Sequence, residues 1–351
     1  MAANDKHRPR RPRVLTVGPD IQGKGGISAV LQAYRRSFGD FRFAATNSRH
    51  GSAAGAVALA WLLLRLPFFR LAGYNTVHAH GASGKSFIRK RIVLGWARML
   101  GFRTIFHSHG GGFRVYAESA GMEKIGRQLA GYDAIAALTD DWARFFRDTL
   151  GCANVHVIPN IVEKPSRTAP APGEFLNFIF LGKLCPEKGV YDLLEAIRTV
   201  AAKYPDRFRL IVGGNGETER FLARAAELGV DSCIDFRGWI GPAAKAEIFG
   251  AGGVLVLPSY IEGMPISILE ACSYGLPSIS TPVGGIPELV ADGESGILVA
   301  PGDSQALAAA IGRYIENPGL AAKHGEAARL RALPHFPEEV RRALDGLYAS
   351  I

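Results

Sequence analysis

Twice along this chain, short β-branched runs alternate with longer helical stretches, and a segment rich in proline and charge separates the two series. In the first series the strand candidates are 13–17, 76–80, 104–108, 134–138 and 155–158, with helices between them such as 27–38, 85–100 and 140–149. The segment EKPSRTAPAPGE, 163–174, lacks either periodicity and reads as a linker. The second series places strands at 177–181, 209–213, 234–237, 254–258, 277–280 and 296–299, with helices between and after them. Strand alternating with helix forces a parallel sheet covered on both faces. The expectation is therefore α/β: two Rossmann-like, doubly wound units, 1–172 and 173–335, facing across a cleft, followed by a last helix within 336–351. Ligands of such sheets bind outside the carboxyl ends of the strands.

Charge divides the chain in the same place. Residues 1–172 hold 25 Lys/Arg and 10 Asp/Glu, whereas the remainder holds 16 and 22. A strongly basic first half calls for an anionic partner, such as a phosphorylated ligand, an anionic lipid surface or a nucleic acid. No basic–aromatic RNA motif or DNA-reading helix is evident, so no nucleic acid is expected. The four cysteines (Cys152, Cys185, Cys233, Cys272) form no CxxC pair, and neither a zinc site nor a disulfide framework is expected. The basic start RPRRPR precedes too short an apolar run for a secretory leader. The longest apolar stretch, 51–64, fourteen residues without a charge, is interrupted by Arg65, Pro67 and Arg70, and falls short of the roughly 20 residues a spanning helix needs. Its continuation WLLLRLPFFRLAGY fits either a membrane interface or a helix buried on the sheet.

Five segments carry candidate chemistry. EGMPISILE places Glu262 before a helix start and Glu270 within the helix, with Gly263 and Pro265 at the entry. The first carboxylate then lies beside free backbone N–H groups, and the second can accept two hydroxyls of a ribose. The same spacing also suits a helix-dipole acid followed by a buried, satisfied glutamate. FLGKLCPEKGV places Gly182 at a strand end with Lys183 and Lys188 behind it. Two lysines five apart can address one diphosphate, or can simply be surface charges. QGKGGISAVL sets Gly25 and Gly26 at a helix start suited to phosphate, yet matches neither GxGxxG nor the P-loop pattern. TIFHSHGGGF puts His109, rather than His107, at the ligand end of a strand ahead of three glycines. STPVGGIPEL offers a second glycine-opened helix start.

In joint order and spacing these segments resemble the family 4 glycosyltransferases, which have the GT-B fold. The resemblance also rests on IVGGNGE at 211–217, FRGWI at 236–240 and VIPNIV at 157–162. Lys183 stands where many members have arginine, which keeps the charge and loses the bidentate fork. The resemblance implies a retaining hexosyltransferase that uses a nucleotide-diphosphate sugar, UDP-sugar favoured, without a cofactor or metal. It implies that Lys183 and Lys188 neutralise the leaving diphosphate, that Glu262 and His109 contact the donor sugar, and that Glu270 holds the ribose. It further implies donor contacts at Gly25, Gly26, Gly182, Gly214, Arg237, Trp239, Gly263, Met264, Pro265 and Ile266, and a last helix packed back on the first unit. In this fold the first unit takes the acceptor. Its basic run KSFIRKR (Lys85, Arg89, Lys90, Arg91) and apolar stretch suggest a lipid-linked glycan of polysaccharide assembly (exopolysaccharide, capsule or lipopolysaccharide). Such an acceptor would be met by a cytoplasmic protein held peripherally on the inner face of the plasma membrane. A nucleotide-sugar epimerase and an inactive partner subunit are the competing readings.

Overall fold

The computed structural model describes residues 12–170 and 173–351. Most of the basic start, through residue 11, and residues 171–172 of the expected linker lie outside the described residues. The chain divides into two units, one reaching Ile161 and including Glu338–Ile351, the other Val162–Pro337.

The first unit runs β1 (Val14–Gly18), α1 (Gly26–Ser37), β2 (Phe43–Ala45), α2 (Ser52–Leu71), β3 (Thr76–Gly81), α3 (Lys85–Met99), β4 (Arg103–Ser108), α4 (Phe113–Ala120), α5 (Met122–Leu129), β5 (Ala134–Ala137), α6 (Asp140–Arg144) and β6 (Val155–Val157). Its strands pair in parallel in the order β2-β1-β3-β4-β5-β6. The second unit runs β7 (Leu176–Leu181), α7 (Val190–Lys203), β8 (Phe208–Gly213), α8 (Thr218–Glu227), β9 (Ile234–Gly238), α9 (Pro242–Gly250), β10 (Val254–Leu257), α10 (Ile266–Tyr274), β11 (Ser278–Ser280), α11 (Ile286–Leu289), β12 (Gly296–Leu298), α12 (Ser304–Glu316) and α13 (Pro318–Ala332). Its order is β12-β11-β10-β7-β8-β9, again all parallel. The last helix, α14 (Pro337–Ala349), belongs from Glu338 onward to the first unit. Arg341 on it grips both carboxylate oxygens of Asp40 at 2.7 Å, and Tyr348 reaches His78 at 2.9 Å.

Strands β3, β5 and β10 are buried at every residue, as strands covered on both faces must be, although β3 carries the polar Thr76, His78 and His80. The order of each sheet reverses once. The reversal falls between β1 and β3 in the first unit and between β7 and β10 in the second. These are the switch points where such sheets open a crevice for ligands.

Three local features depart from expectation. The 140–149 helix stops as α-helix at Arg144 and continues as one π-turn, Phe145–Thr149. The segment around 163–174 does not hang between the units. Val162 N–H donates to His335 O at 3.0 Å and Ala169 N–H to Tyr274 O at 2.9 Å, which ties it to the second unit.

The third is the apolar stretch. It becomes the 20-residue helix α2, which passes through Arg65 and Pro67 and is long and apolar enough to cross a membrane by length and composition. Gly55, Leu62 and Leu66 are buried, the two leucines in the core of the first unit, while most of the helix surface is open. Pro67 has no N–H, so the carbonyl of Leu63 loses its helical donor. The Trp96 indole N–H from α3 fills the vacancy at 3.1 Å. Trp96→Phe should therefore cost about 1 kcal/mol in chemical denaturation, the usual worth of one hydrogen bond.

Candidate active site

The rim of the second unit is assembled by its loops. Gly189 opens α7 at φ +67, and a side chain there would run into the carbonyl of Pro258 beyond β10. Only glycine lets the two loops approach so closely. Tyr260 N–H then donates to Glu187 O at 2.9 Å, joining the loop after β7 to the loop after β10. These are the two strands that flank the switch point.

The result is an ion pair. Lys188 Nζ lies 2.5 Å from Glu262 Oε1, and Ser259 Oγ donates to the same oxygen at 2.8 Å. Glu262 is 9% exposed and Lys188 25%, so the carboxylate is largely withdrawn from water while the ammonium keeps an open side. Glu262 precedes the helix, as its spacing suggested, and Pro265 caps α10 in extended backbone. Gly285 N–H donates to Gly263 O at 2.7 Å, which brings the GGIPEL loop to the same rim. Gly284 sits at φ +56 with the Glu262 carbonyl where a Cβ would point. Gly284→Ala combines left-handed strain of roughly 1–2 kcal/mol with that clash. The expected outcome is a second unit destabilised by more than about 2 kcal/mol, measured by urea unfolding.

Other expected donor residues divide by what holds them. Lys183 is exposed on the same loop as Lys188. Glu270 is taken up by Lys245 of α9, a partner that the sequence reading did not single out. Arg237 does not project a free charge, because Asp235 two residues earlier holds its guanidinium at 2.6 and 2.7 Å. Met264 is buried, so it can present only backbone to the rim, whereas Trp239 is about half exposed. Gly214 has an internal reason to be glycine, since a side chain would strike the Gly182 carbonyl. Gly110, within the triple glycine, likewise packs against Ala82 and Ser83.

In the first unit, α1 begins at Gly26 with Gly25 as an N-cap that makes no side-chain bond. A Cβ at either glycine would meet nothing within 4 Å, so the fold itself does not require glycine there. His109 belongs to a stack of four histidines, and the sequence reading missed His78 and His80. The signal was present: HAH on β3 and HSH at the end of β4 each put two imidazoles on one face, and the register sets His80 beside His107.

The hydrogen bonds fix the tautomers. Ile158 O can only accept, so His107 Nε2 carries a proton (3.1 Å) and its Nδ1 accepts from His78 Nε2 (3.3 Å). His78 Nδ1 then accepts from the Tyr348 hydroxyl. His109 Nδ1 donates to Asn160 Oδ1 (3.1 Å) and its Nε2 accepts from His80 Nδ1 (2.8 Å). His80 Nε2 is left buried without a partner among the described residues. Ligand atoms of His78, His80 and His107 lie within 4.8 Å of one another, but those of His78 and His107 already serve in these bonds. Burial holds all four rings below the usual imidazole range, His78 and His109 to about 3. His109 is thus neutral, with both nitrogens engaged inside its own unit.

Lys90 corrects the expectation for KSFIRKR. It falls on the Phe87–Val93–Leu94–Ala97 face of α3, which packs inward, and it is fully buried with Nζ 2.7 Å from Thr46 Oγ1. It cannot reach a headgroup. Lys85 and Arg91 are exposed and Arg89 is half-buried. Burial, with help from the Arg89 charge, lowers the Lys90 ammonium to about 7. Between pH 10.5 and 7 the unfolded lysine binds a proton that the folded one refuses, so this group makes stability fall as pH drops through that window. Lys90→Met should remove the slope and raise stability at pH 7 by several kcal/mol, because each tenfold weakening of proton binding on folding costs about 1.4 kcal/mol. Urea midpoints at pH 7 and 10 read both effects.

Two doubly wound parallel units with these rims give the chain the GT-B fold. The sucrose-phosphate synthase from Thermosynechococcus elongatus superposes with a TM-score of 0.78 at 19% identity, covering 97% of this chain and 98% of that one. Anabaena Alr3699/HepE, solved in complex with UDP and glucose, does so with a TM-score of 0.78 at 16% identity over 97% and 100%. Residues 176–317, the core of the second unit, match the family described as glycosyl transferases, group 1. In sequence the chain is 34% identical over 170 residues to the D-inositol 3-phosphate glycosyltransferase of Streptomyces scabiei (strain 87.22), covering 46% of this chain and 38% of that protein. The chain spans about half the length of the curated relatives it matches, or less.

Proposed function

We propose that this chain is a retaining glycosyltransferase that moves a hexose from a nucleotide-diphosphate sugar, UDP-sugar favoured, to a membrane-associated, lipid-linked glycan of exopolysaccharide, capsule or lipopolysaccharide assembly. The observation that carries the reading is the Lys188–Glu262 pair at the β7/β10 switch point, inside the stretch that matches the group 1 family. A structural neighbour bound to UDP supports the choice of donor.

The ammonium of Lys188, with Lys183 behind it, supplies positive charge where the diphosphate departs, in place of a metal ion. Glu262 fixes Lys188 and offers its remaining acceptor capacity to sugar hydroxyls. The bond from the anomeric carbon to the phosphate oxygen breaks, the acceptor oxygen bonds to the same face, and its proton passes to the departing diphosphate. The reaction runs at the cytoplasmic leaflet, where the basic first unit meets an anionic acceptor.

The test is transfer from labelled UDP-sugars to extracted membrane lipids, with EDTA present and the product anomer read by NMR. Label in the organic phase with retained configuration supports the reading. A covalent sugar on any carboxylate overturns front-face attack, and an altered sugar formed from donor alone indicates an epimerase. A soluble phosphorylated acceptor is a second reading, favoured by the name of the Streptomyces relative. It predicts label in the aqueous phase with inositol phosphate.

A further inference from the structure

We infer that the α2–α3 face of the first unit is a docking surface for an anionic lipid bilayer. The choice of occupant agrees with the lipid-linked acceptor proposed above, but the surface stands on its own observations.

On α2, Val57, Trp61, Leu64, Phe68 and Leu71 are spaced four, three, four and three apart, and each is 60–85% exposed. This is one helical stripe, opposite the buried Leu62 and Leu66. On α3, Ile92, Trp96 and Met99 continue the apolar surface, and the Trp96 bond to Leu63 O joins the two helices. Soluble monomers rarely expose an apolar patch of this extent without a partner for it.

Charge selects the partner. From residue 41 to residue 117 the chain contains no aspartate or glutamate and eleven Lys/Arg. Arg65, Arg70, Lys85, Arg91 and Arg98 are exposed on these two helices. A two-fold pairing of this surface with a second copy would set arginines against arginines, whereas an anionic bilayer satisfies both the stripe and its charges. The same structure defines how α2 sits. Leu62 and Leu66 belong to the core of the first unit, so α2 lies in the interface and does not cross, because spanning would strip them from that core.

The test is vesicle flotation of the full chain at two salt concentrations, with phosphatidylcholine alone and with about one third phosphatidylglycerol. The wild type should float with the anionic vesicles, less at high salt. Trp61→Ser/Phe68→Ser should weaken partition at least about tenfold, given what two aromatic side chains contribute on burial. Arg65→Gln/Arg70→Gln should weaken it about tenfold at low salt and little at high salt. Both pairs lie on the surface, and the unfolding midpoint and UDP-sugar binding of each variant should match the wild type. Flotation independent of lipid charge, flotation unaffected by the aromatic pair, or a dimer in light scattering that the aromatic pair dissolves would each overturn the inference. Normal flotation without sugar transfer to lipid would instead remove the acceptor reading and leave the docking surface standing.

Discussion

Lys188→Ala should reduce sugar transfer by about 10²–10³-fold, the usual cost of losing one group that stabilises developing charge. It should also destabilise the second unit. Glu262 is 9% exposed, and its Oε1 would keep only the Ser259 hydroxyl. Removing one partner of a fully buried pair costs about 3–5 kcal/mol. Because Lys188 is a quarter exposed, a value of about 2–3 is expected here. The two losses separate in the double variant Lys188→Met/Glu262→Gln, which leaves no buried charge. It should recover most of the stability in urea unfolding and none of the turnover. Recovery of both would mean that the pair is structural. Loss of stability alone in Lys188→Ala, with transfer intact, would mean the same.

Acid should unfold the first unit well before the second. His78 and His109 are held to about 3, and His80 and His107 well below the usual imidazole range, all chiefly by burial. Folded values lie below the unfolded value near 6.5, so the unfolded chain binds more protons as pH falls through 6.5. Stability is therefore full above about 6.5 and is lost below it. Each imidazole contributes about 1.4 kcal/mol for every tenfold rise in proton concentration once the unfolded form is fully protonated, and four together give roughly 5–6. Against a typical total of about 5–15 kcal/mol, the unit should unfold near pH 5. Lys90 adds no slope in this range, because it is protonated in both states below about 7. Three of the four tryptophans, Trp61, Trp96 and Trp142, lie in the first unit, so their fluorescence reports on it. His107→Gln should reduce the slope by about one proton. A stability that stays flat from about pH 6.5 to 4.5 would show that the rings are charged or hydrated in the folded state.

The parallel sheets were legible because short strand-like runs alternate with helical stretches on either side of 163–174; the run is wholly apolar in β5 and β10, whereas β3 and β4 carry histidines and β7 carries Asn177. Strand β2 was not legible, since three half-buried residues, Phe43–Ala45, carry no period. Helices α4 and α5 were hidden by Gly121, which breaks them at φ +94. In the site, Lys188 and Glu262 were named from strand-to-helix spacing, and the structure pairs them. Lys90 was misplaced because a basic run was read as one surface, although the register with Phe87 and Leu94 puts it inside. His78 and His80 were missed because their meaning depends on the neighbouring strand, which a local motif does not contain. Lys245 was missed for a similar reason, since its partner Glu270 lies 25 residues away on another helix.

A thermal-shift comparison of UDP-, GDP- and ADP-sugars on the wild type and on Lys188→Met/Glu262→Gln tests the nucleotide-sugar site most directly. Held at about 100 times its dissociation constant, the true donor should stabilise the wild type by about 2.7 kcal/mol and the double variant by far less at the same concentration. Equal stabilisation of both proteins, or none by any of the three nucleotide sugars, would contradict a donor site built on Lys188 and Glu262.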